Sequence, residues 1–268
     1  LEGKLYLEYQ YQQSQTKIIN SYHLAPLKVQ RPFYLEGEKT CHTIILNTAG
    51  GIVETDNLEQ QIHLHPQAEV LITTASAGKI YRCQKTQSQQ NINITIDEGA
   101  CLEFLPQENI IFSGANYLQN MRIELAAKAQ YLGWEINRFG RTARGEKFLT
   151  GTWLSATEIW RAAEPLWIDR QGLWDPQNLY SSPNGLANKP VVGTLSWIGV
   201  PVSTEFITEI RNLGKTLVGE TGVTQLTQGL ICRYRGQATT EVKTWFKEIG
   251  SKLRLKYLNK SIYQFRTW

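Results

Sequence analysis

The chain has 268 residues, 41% of them hydrophobic, with 28 Lys and Arg against 24 Asp and Glu for a formal charge of +4. That length and apolar content suffice for a sizeable packed core, which excludes disorder as the default. The basic excess is small and dispersed, which argues against a nucleic-acid footprint; the one basic cluster, Lys252 to Lys260, reads as the solvated face of a helix.

The N-terminal stretch "LEGKLYLEYQ" alternates and carries charge early, unlike the apolar core of an export signal. The longest uncharged run, Pro190 to Thr204, is shorter than the ~20 residues of a spanning helix and contains Gly193, Gly199 and Pro201. Cys41, Cys83, Cys101 and Cys232 stand singly with no Cys-x-x-Cys pair, as expected of reduced core thiols in a cytoplasmic protein.

Next along the chain comes "NTAGGIVETD" (Asn47 to Asp56). Gly50-Gly51 lacks the third glycine, the following helix and the lysine of a phosphate-binding loop, so it reads as a bend in a sheet with Glu54 and Asp56 beyond it. His63 and His65, two apart on a strand, share one face and are candidate metal ligands if a third donor approaches; the competing reading is an exposed strand ending at Pro66.

A repeat then becomes visible. Aliphatic pairs at alternate positions, Ile62/Leu64, Ile94/Ile96 and Ile123/Leu125, each precede an alanine by the same interval, at Ala68, Ala100 and Ala129. Alternation puts each pair on one face of a strand and the alanine after a tight turn. A simple meander of hairpins has no reason to keep that interval. The spacing therefore predicts units of strand, turn and strand that stack into a coil with a shared interior, a mainly β, superhelical or solenoid-like fold.

Glu103, Glu135 and Glu146 are flanked by apolar or aromatic residues. They either pair with cations such as Arg82, Arg138 and Arg141 or line a polar interior. The tryptophans at 153, 160, 167 and 174 fall seven apart, but Gly151, Pro165 and Gly172 forbid a continuous helix. "TWLSATEIW" and "LWIDRQGLW" read instead as two strands joined at Arg161 to Pro165. Ser181 to Pro190, "SSPNGLANKP", is the strongest turn cluster and reads as a mobile surface loop.

Near the C-terminal end the pattern becomes helical. Ser203 to Gly214 has a hydroxyl cap, apolar residues at helical spacing and a terminal glycine, and Gln237 to Leu258 is a second, longer helix despite Gly250. "TQLTQGLICRYRG" between them reads as strand. One domain over 1–268 is expected, with a β-rich body at 1–200 and a helix-strand-helix part at 201–268 packed on it. Gly214-Lys215-Thr216 follows a helix and has Glu209 where a phosphate loop needs glycine, and no histidine lies in a nucleophile elbow, so no organised active site emerges.

Six blocks carry a likeness: "APLKVQRPFYLEG" (Ala25 to Gly37), "NTAGGIVETD", "LITTASAGKIYR" (Leu71 to Arg82), "LEFLPQENIIFSGA" (Leu102 to Ala115), "LGWEINRFGRTARGEKF" (Leu132 to Phe148) and "PVVGTL" (Pro190 to Leu195). With these in order over most of its length, the chain resembles the urease accessory protein UreD family, called UreH in some lineages. The resemblance implies a non-enzymatic scaffold and metallochaperone. Such a protein acts with UreF and the GTPase UreG on apo-urease, receives nickel from UreE, and passes it through an internal channel without a permanently bound cofactor. It also implies a β-rich superhelical body with two helices. On this view Gly50-Gly51 shapes a coil corner and Asp56, with Glu135 second to it, is the candidate channel carboxylate; His63 and His65, from the strand pattern, remain the weaker metal candidates. Oxygen donors suit a conduit, because a thiolate or imidazole cage would retain the ion. The chain departs from the family pattern at Thr55-Asp56, at Gly78-Lys79 and in the ending Phe265 to Trp268. The rival expectation is a β-solenoid carbohydrate-active enzyme or carbohydrate-binding module using solvent-facing tryptophans beside Glu103 and Glu135.

Overall fold

The computed structural model of the protein describes residues 1–263; the departure at Phe265 to Trp268 lies outside them. Strands β1 (Glu2–Gln12) and β2 (Gln15–Leu24) form a hairpin, and β3 (Leu27–Val29) leads into a β-solenoid of about 4 turns. The coils run through β4 (Thr40–Asn47) and β5 (Asn57–Leu64), then β6 (Glu69–Thr74), β7 (Gly78–Ile80) and β8 (Ser88–Ile96). They continue through β9 (Cys101–Phe104), β10 (Asn109–Ile111) and β11 (Asn116–Leu125), then β12 (Gln130–Phe139) and β13 (Thr152–Arg161). After the coils come β14 (Glu164–Leu173), the one-turn helix α1 (Pro176–Leu179), β15 (Val191–Ile198), α2 (Thr204–Gly214), β16 (Glu220–Leu226), β17 (Gly229–Gly236) and α3 (Thr239–Leu253), ending in a π-helical turn at Arg254–Leu258.

Each coil contributes one strand to either of two sheets. In the first sheet β1, β5, β8, β11 and β13 are parallel neighbours, with β2 and β14 antiparallel at its edges. In the second, β4, β6, β9 and β12 are parallel, followed by the antiparallel β15, β17 and β16. A short third side pairs β7 with β10 and β10 with the end of β12, stacking Ile80, Ile111 and Phe139 in register.

The repeat spacing is the pairing register. Ile62 lies beside Ile94 and Ile94 beside Ile123, while Leu64, Ile96 and Leu125 form the next row inward. All six side chains are buried, as are Ala68, Ala100 and Ala129. Each alanine amide donates to the carbonyl three residues earlier, on His65, Asp97 and Ala126, closing a turn whose third residue has positive φ: Gln67 at 64°, Gly99 at 67° and Lys128 at 59°. The ladder continues through these corners, since Cys101 N–H donates to Ala68 and Gln130 N–H to Ala100. The interval recurs because it spans one strand end and one stacked corner.

On the opposite corner Gly50 has φ of 74°, and Gly51 lies so close to the next coil that a Cβ there would stand 2.8 Å from the Lys79 carbonyl oxygen. Ile52 N–H donates to that same carbonyl at 2.7 Å. The two glycines bend the first coil against the second.

The outer face of the second sheet buries a separate apolar cluster under the helices, with Trp134, Leu195 and Trp197 meeting Phe206, Ile210, Trp245 and Phe246. Ser203 caps α2, its hydroxyl accepting from Phe206 N–H at 3.3 Å. Gly250 within α3 makes room for a returning ring, because a Cβ there would lie 2.7 Å from Tyr263 Oη. The third helix, α1, begins at a proline too soon after the last tryptophan to show periodicity. The expected single strand between the longer helices is the hairpin β16–β17.

The segment Ser181–Pro190 is a tied knot and not a free loop. Leu186 N–H donates to Leu179 O, Asn188 N–H to Tyr180 O, and Arg235 Nη1 reaches the Pro183 carbonyl at 2.7 Å. Its turn-rich composition fixes a compact path that the guanidinium then pins.

Candidate functional site

The inward rows that continue the aliphatic pairs toward the starts of the strands turn polar. Gln90, Gln119 and Ser155 are direct neighbours across β8, β11 and β13, with Gln171 of β14 beyond Ser155. In the next row Gln60, Ile92, Met121, Thr157 and Asp169 follow one another. The interior is therefore apolar at one end of the strands and polar-lined at the other.

A cavity of about 320 Å³ lies against this polar stretch, with Gln60, Gln90 and Gln119 on one wall and Glu135 and Trp134 on the facing wall. Its rim carries the exposed Asn47, Gly50, Ser76 and Lys79. A second void, about 10 Å³ and so about one water in size, lies beyond; Glu135, Trp134 and Met121 are walls of both. Asp169 lines the far side of the small void and is bonded at 2.6 Å to the partly exposed Arg233, which also donates to Thr194 Oγ1 at 2.7 Å.

Glu135 thus stands where the two spaces meet. One carboxylate oxygen accepts from Asn137 Nδ2 at 2.6 Å, and Ser155 Oγ donates at 3.2 Å to the other. Removal from bulk water raises its pKa above the ordinary carboxylate value, against these two hydrogen bonds, which favour the ion. The buried phenol Tyr117 donates to Gln90 Oε1 at 2.9 Å and holds that side chain in place. Oxygen atoms of amides, hydroxyls and one carboxylate are a donor set that a divalent cation can enter and leave.

Asp56 occupies a different place. It is buried at the coil corner, where Oδ2 accepts from Val53 N–H and Oδ1 accepts from Leu1 N, both at 2.9 Å, and it is not on the wall of either cavity. Its neighbour Glu54 accepts from the amides of Gln84, Lys85 and Thr86, which lowers its pKa to about 2 and anchors that loop. His63 and His65 are on the outer face of the first sheet, away from the cavity. The four candidate residues are not brought to one point.

Of the carboxylates with two readings, Glu146 pairs with Arg141. Glu103 is buried with Arg254 and Lys260, far along the chain, and not with the arginines near it in sequence. A carbohydrate groove needs aromatics facing solvent beside a free carboxylate pair. Trp153 is buried, Trp160 and Trp167 are half-buried and Trp174 alone of the four is exposed, so they form no solvent-facing row, and Glu103 is ion-paired with Arg254. The four cysteines are free and buried, and burial raises the Cys41 thiol to about 11 and Cys101 to about 12. Among the described residues no helix is long and apolar enough to cross a membrane.

The three lumen glutamines escaped notice in the sequence, although a signal was there. Counting back by two from Ile62, Ile94 and Ile123 places Gln60, Gln90 and Gln119 in the inward phase, where a polar residue demands an explanation.

The family model described as UreD urease accessory protein matches residues 1–268. A protein of Trichormus variabilis named Urease accessory protein UreD is 55% identical over 266 residues, covering 99% of this chain and 95% of the relative. A protein of the same name from Microcystis aeruginosa is 48% identical, covering 100% of this chain and 98% of its own length. The one from Synechocystis is 41% identical, with 93% of each chain covered.

Proposed function

The chain belongs to the UreD family of urease accessory proteins, and from that premise we propose that it is a non-catalytic scaffold for nickel insertion. In this reading it acts with UreF and UreG on apo-urease, with UreE supplying the ion. Nickel is the cargo. It enters at the rim near Lys79, passes the glutamine wall and Glu135, and leaves past Asp169.

The observation that carries this reading is the place of Glu135 between the two cavities, as a shared wall of both. Among the described residues Glu135 is hydrogen-bonded by two neutral donors and Arg233 acts on it only from a distance, so a passing Ni2+ has no direct ion pair to displace there. Amide and hydroxyl oxygens before and after it bind such an ion more weakly than thiolates or imidazoles would, which favours transit over retention. Asp56 enters this proposal as a support of the coil corner.

The test is activation of apo-urease by the full complex containing Glu135→Ala, Glu135→Gln or Asp56→Ala. The reading expects nickel incorporation to fall in both Glu135 variants while capture of UreF and apo-urease is unchanged. Full activation by Glu135→Ala would remove the route, and failure to capture either partner would remove the scaffold.

A further inference from the structure

We propose that the outer face of the first sheet carries a separate site for a divalent transition-metal ion, formed by Glu8, His63 and His65, with Asp97 orienting the His63 imidazole. Glu8 of β1 lies directly beside His63 of β5 in the parallel register. His63 and His65, on either side of the inward Leu64, project outward together with ring centroids 4.3 Å apart. One ligand atom from each of Glu8, His63 and His65 lies within 4.8 Å of the other two.

Asp97 comes from the corner of the next coil. Its Oδ2 is 2.9 Å from His63 Nε2 and 3.7 Å from His65 Nδ1. With Nε2–H donated to that carboxylate, the lone pair of the His63 ring lies on Nδ1, the arrangement in which a carboxylate fixes the tautomer of a metal-binding histidine. Donors around a metal held at about 2.1 Å lie about 3 Å apart, so the side chains close by somewhat more than an ångström on binding while the paired strands stay fixed.

Two imidazoles and a carboxylate select borderline ions such as Ni2+, Cu2+ and Zn2+ over Mg2+ or Ca2+. All four residues are partly exposed, so the ion keeps water on its open side and exchanges with solvent. The site is on the opposite side of the sheet from the lumen and does not depend on the transport reading.

The experiment is equilibrium dialysis of the full chain against Ni2+, with Cu2+ electron paramagnetic resonance as a second readout. The variant H63A/H65A is expected to bind one equivalent fewer and to lose the nitrogen coupling of two imidazoles. Asp97→Asn is expected to weaken binding about 10- to 100-fold, and Glu135→Gln to leave the two-imidazole coupling of the Cu2+ spectrum unchanged. Equal stoichiometry and affinity in H63A/H65A, or a wild-type Cu2+ spectrum without two coupled imidazoles, would overturn the proposal.

Discussion

Arg254 and Glu103, 151 positions apart, meet as a fully buried pair with Nη1 at 3.1 and 3.0 Å from the two carboxylate oxygens. Arg254 also contacts Glu36, and Lys260 approaches Glu103 and Glu69 at 3.2 Å each. Together these charges fasten the segment after α3 onto the outer face of β6 and β9. Breaking such a pair strands a charge in the interior, so Arg254→Met is expected to cost about 3–5 kcal/mol in chemical denaturation. The double variant Arg254→Met/Glu103→Leu, which strands less charge, should recover part of that loss.

His42 faces the same cluster, with Nε2 2.9 Å from Glu36. Burial lowers its pKa from 6.5 to about 4, opposed by the attraction of Glu103 and reinforced by the charge of Lys260. The folded protein therefore keeps His42 neutral while the unfolded chain takes up a proton below about pH 6.5. Stability from this residue is full above that pH and is lost as pH falls toward 4, by up to about 3 kcal/mol. Denaturation of His42→Gln across that window should show a flatter pH dependence than the parent.

Gly51→Ala would bring a methyl group to 2.8 Å from the Lys79 carbonyl, which is also the acceptor of Ile52 N–H. The coil corner has to open to admit it. A loss of about 1–3 kcal/mol is expected from such overpacking, measured by thermal or chemical unfolding. Gly50→Ala meets no atom within 4 Å but must hold φ of 74°, so its penalty arises from backbone strain alone.

Gln119→Leu keeps the volume of a lumen side chain and removes its oxygen. Tyr117 retains its 2.9 Å bond to Gln90, so little of the buried hydrogen bonding is disturbed. Unfolding midpoints should stay close to those of the parent, while nickel incorporation into urease falls. Activation at the parental rate would show that the glutamine wall has no part in passage.

The fold was legible in the sequence because its information is local and repeated. Ile62/Leu64 with Ala68, Ile94/Ile96 with Ala100 and Ile123/Leu125 with Ala129 each encode one strand face and one corner, and three equal copies leave little choice but to stack. The helix at Thr204–Gly214 was legible for the same reason, through its cap and its apolar spacing. The hairpin β16–β17 and the single turn α1 were not, since a two-residue connection within a run of strand formers and a four-residue helix leave almost no periodic signal.

Site residues divide along the same line. Glu135 reads in sequence as a carboxylate among apolar neighbours, and only closure of the coils sets it between two cavities opposite Ser155. Asp56 reads as an acid after a glycine bend, and its environment is decided by Val53 and Leu1 closing on it. Alternation and turn chemistry act over a few residues, and so the sequence alone determined the stacked rungs and which side chains point inward. Pairings such as Arg254 with Glu103 depend on segments brought together by burial of the shared core, and so the tertiary structure decided which carboxylates became struts and which, such as Glu135, faced the lumen.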